Sequence, residues 1–101
     1  MKASTKYSPF ATRQLQDLYE YVARASGPER ADAFVGSIFD YCDRLANSPY
    51  RGTKRDDLRP GLRIVGLKRQ VTIAFSVTDG AVEVLGVFYR GRSFESVLRD
   101  K

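Results

Sequence analysis

The sequence predicts an α+β protein: an N-terminal strand, an antiparallel helical hairpin packed on a small antiparallel β-sheet, and a short C-terminal helix or tail. Two stretches repeat apolar residues at steps of 4, 3, 4 and 3, the spacing that lines one face of a helix. A later stretch alternates apolar and small polar residues with period two, and an Asp-Gly pair separates it from a second apolar run. Helices grouped before the strands, rather than interleaved with them, point to helices layered on one face of a sheet.

Residues 2–8 (KASTKYS) are short and polar and end at Pro9, which suits an edge strand leading into a helix. Ser8 is placed to cap that helix, with Pro9 at its first position, where a missing N–H is harmless. Ala11, Leu15, Leu18, Val22 and Ala25 form the first stripe; Gly27-Pro28 breaks it; Ala31, Val35, Ile38, Cys42 and Leu45 form the second, closing at Asn47-Ser48-Pro49. So short a break forces the two helices to run antiparallel. Residues 48–61 (SPYRGTKRDDLRPG) read as a long loop.

A strand follows at 62–67, with a turn at Lys68-Arg69. Val71, Ile73, Phe75 and Val77 then mark a half-buried strand, and Thr78-Asp79-Gly80-Ala81 a type I′ hairpin turn. The last strand, 82–89, is apolar on both sides: Val82, Val84 and Phe88 on one, Leu85, Val87 and Tyr89 on the other. A helical hairpin covers only one face of a sheet, so the second needs a cover of its own. Phe94, Val97 and Leu98 at the C-terminus offer one, and a binding partner is the other candidate.

With 101 residues and 43% hydrophobic composition the chain is expected to be one domain, 1–101. It contains no histidine, which excludes imidazole acid–base chemistry and imidazole metal sites. Cys42 is the one cysteine, so an internal disulfide or a cysteine metal cluster is excluded too, and no metal or cofactor is expected. Cys42 lies on the second apolar stripe and reads as a small core residue. The start lacks the apolar segment of a signal peptide, and no run is long enough to span a bilayer, so a cytoplasmic location without membrane contact is expected.

Up to Tyr50 six basic residues balance six acidic ones, whereas from Arg51 onward eleven basic residues face six acidic ones. The entire excess of +5 therefore lies in the second half. Such a half suits an acidic partner, nucleic acid or protein; a modest positive charge also serves solubility alone. Arg63, Lys68, Arg69, Arg90 and Arg92 form the candidate patch, provided that the last three strands pair as a meander.

Several strings now come together: Tyr7-Ser8-Pro9 with Ala11, Arg30-Ala31-Asp32-Ala33-Phe34-Val35, Ser48-Pro49-Tyr50-Arg51-Gly52, Leu58-Arg59-Pro60-Gly61-Leu62-Arg63 and the run from Val82 to Arg92. In this order, across nearly the whole chain, they resemble the ParE-type toxins of the RelE/ParE superfamily in bacterial toxin–antitoxin systems. The resemblance implies a toxin that inhibits DNA gyrase by binding and is neutralised by a cognate ParD-like antitoxin. RelE-type relatives instead cut messenger RNA on the ribosome, and fold alone does not separate the two activities. Where many members carry a histidine at the end of the last strand, this chain has Tyr89 or Arg90.

Ribonuclease chemistry needs a base for the 2′-hydroxyl and an acid for the leaving oxygen. Without histidine those roles would fall to Lys68, Arg69 and Arg90, and arginine, always protonated, is a poor base. The leading expectation is thus a toxin without a catalytic residue. Target contacts are expected from Arg63, Lys68, Arg69, Arg90 and Arg92, and antitoxin contacts from Tyr19, Tyr41, Leu85, Val87 and Tyr89. Direct contact with nucleic acid stays open, as does a third reading, a non-toxic antitoxin-binding domain.

Overall fold

The computed structural model describes residues 5–90 and 94–98. The chain runs β1 (Thr5–Tyr7), α1 (Pro9–Ser26), α2 (Pro28–Asn47), β2 (Thr53–Lys54), β3 (Arg63–Leu67), β4 (Val71–Thr78), β5 (Ala81–Tyr89) and α3 (Phe94–Leu98). The sheet order is β1-β5-β4-β3-β2, with β3, β4 and β5 forming the expected meander. One correction concerns strand direction. β1 pairs with β5 in parallel, so the sheet is mixed rather than wholly antiparallel. The long connection from β1 through both helices permits it, since parallel neighbours need a crossover and not a hairpin.

Local chemistry sets the helix boundaries. The Ser8 hydroxyl accepts from the Ala11 N–H at 3.0 Å, and Pro9 occupies the first turn of α1. Gly27 alone separates α1 from α2, at φ 96°, a conformation that side-chain-bearing residues avoid. The predicted stripes are the helix side of the core: Ala11, Leu15, Leu18, Val35, Ile38, Cys42 and Leu45 are buried against Val65, Ile73, Phe75, Val82 and Val84. Burying each large member contributes about 1.5–3 kcal/mol. Cys42 is wholly buried, and burial pushes its thiol up to about 11, which keeps it protonated and unreactive near neutrality.

β5 departs from the expected alternation. Phe75 pairs with Val84 but Ala74 pairs with Gly86, so Leu85 is an extra residue, a β-bulge. One extra residue reverses the side on which every later side chain points. Val87 and Tyr89 therefore join Val82 and Val84 under the helices, while Leu85 and Phe88 face the other way. The expectation that Leu85, Val87 and Tyr89 share a face is corrected accordingly. The start of α1 holds the bulge in place. The Ser8 N–H donates to the Val84 carbonyl at 2.9 Å, its hydroxyl donates to the Leu85 carbonyl at 3.2 Å, and the Val87 N–H donates to Gln14 Oε1 at 2.6 Å. Backbone groups that an uninterrupted ladder would have paired are thereby satisfied.

The second face has its own small core. Leu58 and Leu62 of the long loop and Leu98 of α3 bury Ala74 and Phe88, with Ile64, Leu85 and Phe94 around them. The C-terminal helix contributes as expected, through Phe94 and Leu98, whereas Val97 is exposed. Arg55 ties loop to helix: its guanidinium meets Asp57 at 2.9 Å and Glu95 at 3.3 Å and lies over the Phe94 ring.

Candidate functional site

The turn between β3 and β4 and the end of β5 form one corner of the sheet. The Gln70 N–H closes the turn on the Leu67 carbonyl at 3.1 Å, and the Gln70 carbonyl accepts from the Arg90 N–H at 2.8 Å. Lys68, Arg69 and Arg90 are thus brought together by the backbone, and all three are exposed. Their conformations are unusual. Lys68 has φ 53°, Arg69 φ 59° and Arg90 φ 52°, in the left-handed region that costs a side-chain-bearing residue roughly 1–2 kcal/mol. Asp79, in the other hairpin turn, completes the set of such non-glycine residues among those described.

Arg63, expected in the same patch, stands at the far end of β3 and is already engaged. Its Nη1 donates to the carbonyls of Tyr50 at 2.9 Å and Arg51 at 3.2 Å, and its guanidinium lies over the Tyr50 ring. The physical reason is the length of β3: the strand has five residues, Arg63 is the one farthest from the turn, and strands rise about 3.3 Å per residue. Arg92 lies outside the described residues.

Tyr89 links the corner to the helices. Its ring meets Tyr21 at 5.9 Å and Phe34 at 5.7 Å between centroids, and the Arg90 guanidinium covers it at 5.3 Å. Two grooves flank it. One, of about 380 Å³, lies beside Gln14, Asp17 and Tyr21; the other, of about 470 Å³, includes Arg30, Phe34 and Lys68. Arg30 escaped the sequence reading because which helix face meets the β3–β4 turn depends on how the hairpin sits on the sheet.

The five residues expected to contact an antitoxin do not form one surface. Val87 is buried beneath the helices, and Leu85 is half-buried on the opposite face of the sheet. Tyr19 donates its hydroxyl to Asp32 Oδ1 at 2.8 Å, bracing α1 against α2. Tyr41 is half-buried against the main core, with the Arg44 guanidinium over its ring. Tyr19 also borders an outer cleft of about 360 Å³ together with Tyr7, Leu15, Val35 and Phe39. Among the described residues, no group of His, Cys, Asp and Glu side chains is arranged to hold a metal ion, and no helix is long and apolar enough to cross a membrane.

Fold and corner together define a two-layer α+β domain whose projecting feature is a strained cationic turn. The chain belongs to the ParE toxin family of type II toxin–antitoxin systems (parDE), whose family model matches residues 5–94. Among solved structures it is similar to one described as "Chromosomal ParDE TA system from P. aeruginosa", with a TM-score of 0.75 and 24% identity, covering 88% of this chain and 97% of that one. No curated protein matches the chain.

Proposed function

We propose that this chain is a single ParE-like toxin domain over residues 1–101 that acts in the cytoplasm, inhibits DNA gyrase by binding it, and is neutralised by a ParD-like antitoxin. The gyrase target and the ParD-like partner come from the family. The observation that supports binding is the coincidence of charge and backbone strain at Lys68, Arg69 and Arg90. Strain of this kind persists where the presented side chains serve a purpose that outweighs its cost. Guanidinium groups supply fixed positive charge and geometric hydrogen bonding but no proton-accepting step, which fits docking better than hydrolysis. The antitoxin covers the outer cleft lined by Tyr7, Leu15, Tyr19, Val35 and Phe39, where apolar surface lies open beside the hairpin.

The test uses the purified chain against supercoiling by gyrase and, in parallel, against ribosome-bound message. The expected result is blocked supercoiling with intact message, with the block relieved by Arg90→Gln. Codon-dependent cleavage that disappears in Arg90→Gln, with normal supercoiling, overturns the reading in favour of a ribosome-dependent nuclease.

A further inference from the structure

The groove beside Lys68 carries charge that its own walls do not balance. Arg30, Lys68 and Arg90 all line it, no carboxylate does, and none of the three forms an ion pair among the described residues. Like charges converging on one concavity raise its potential and favour an anionic occupant. All three of these cations also oppose their local backbone. Lys68 and Arg90 sit at positive φ, and Arg30 sits in the first turn of α2, where the helix dipole favours acidic residues and disfavours a cation. Independent local preferences broken around one groove point to a shared use.

The floor of the groove narrows the occupant's chemistry. Val22, Ala33 and Phe34 line the same groove and supply apolar surface beside the cations. A single-stranded nucleic acid would need an open aromatic face for its bases. Tyr89 does not provide one: Arg90 covers the ring, and Tyr21 and Phe34 crowd it. Phe34 directs its ring at a steep angle, 74°, toward Tyr89.

We propose that this groove docks an acidic peptide segment in which an apolar side chain is flanked by carboxylates, with Arg30 as a specificity-determining cation. The apolar side chain rests on Phe34 and Ala33, and the carboxylates reach Arg30 on one side and Lys68 and Arg90 on the other. The inference rests on the binding reading above only in taking Lys68 and Arg90 as docking groups.

Fluorescence anisotropy with the full chain and a labelled DELED peptide tests it, with a DESED peptide and a single-stranded oligothymidylate of equal charge as comparison probes. Arg30→Gln and Lys68→Asn are each expected to weaken DELED binding at least fivefold. Arg13→Gln, which removes an equal charge from an exposed position of α1 outside the groove, should change it less than twofold. DESED should bind several-fold more weakly than DELED. Thermal melting verifies folding, and Lys68→Asn suits the left-handed turn position, so a loss of binding there is not a loss of fold.

An equal loss in Arg13→Gln reduces the effect to general charge attraction and overturns the proposal. So does the absence of DELED binding, or oligothymidylate binding more tightly with the same dependence on Arg30. Peptide binding is read without gyrase, so a failure of the gyrase reading leaves this result standing, and the converse holds as well.

Discussion

The two turns that join the last three strands solve the same geometric problem with opposite chemistry. Between β4 and β5 the central residues are Asp79 and Gly80, at φ 52° and 76°, the pair that a right-twisted hairpin favours. Between β3 and β4 the same left-handed positions hold Lys68 and Arg69, two long cations with no glycine to relieve them. The contrast extends to the sheet ends. At the Asp79-Gly80 end, Arg63 is spent on the Tyr50 and Arg51 carbonyls. At the other end Lys68 and Arg90 form no ion pair among the described residues. One end is arranged for stability, and the other gives up stability to present charge, the pattern expected where a surface is kept for a partner.

Exchanging the turns is the strongest way to break this comparison. Lys68→Asn with Arg69→Gly should stabilise the protein by about 1–2 kcal/mol, a rise in melting temperature of roughly 5–10 °C, because Asn-Gly fits both left-handed positions. The same double variant should lose at least tenfold in inhibition of supercoiling. The reciprocal change, Asp79→Lys with Gly80→Arg, should lower stability by about 2 kcal/mol and leave inhibition by the folded fraction unchanged. Calorimetry and a supercoiling titration read both. If inhibition survives in the first variant, the strain at Lys68 and Arg69 serves no docking purpose.

Arg63 gives a smaller, opposite-signed test. Its bonds to two loop carbonyls make Arg63→Ala a stability change of about 1 kcal/mol, with inhibition unaffected once melting is accounted for. A variant that melts normally but fails to inhibit would return Arg63 to the target surface and extend that surface along the whole of β3.

What was legible in the sequence followed from short-range physics. The Ser8-Pro9 start, the Gly27 break, both apolar stripes and the Asp79-Gly80 turn depend on neighbours a few residues away, and each appears where its residues demand it. The bulge in β5 was missed because strict alternation was carried through Gly86. An isolated glycine inside a strand is itself the signal for a bulge or a close approach. Here a Cβ on Gly86 would lie 2.6 Å from the Phe88 ring, so any larger residue would force that ring to move from its place on the second face. The corner was half legible. Lys68, Arg69 and Arg90 follow from the meander, which local turns specify, whereas the separation of Arg63 follows from strand length and the arrival of Arg30 from helix-on-sheet packing.

The smallest expected effect concerns Arg55, whose charge is tied where those of the corner are bare. Its partners Asp57 and Glu95 are largely exposed, and exposed ion pairs contribute little after solvent screening and side-chain ordering are counted. The second face should owe its cover to apolar burial instead: Leu58, Leu62 and Leu98 are each no more than 3% exposed. Arg55→Gln should therefore shift melting by less than about 3 °C, while Leu98→Ala, which opens a gap beside Phe88, should shift it more. Neither should alter inhibition, because both act on the face turned away from the helices. A loss of inhibition in Arg55→Gln at unchanged stability would mean that a paired cation also serves the target, and the distinction between tied and bare charge would no longer locate the functional end of the sheet.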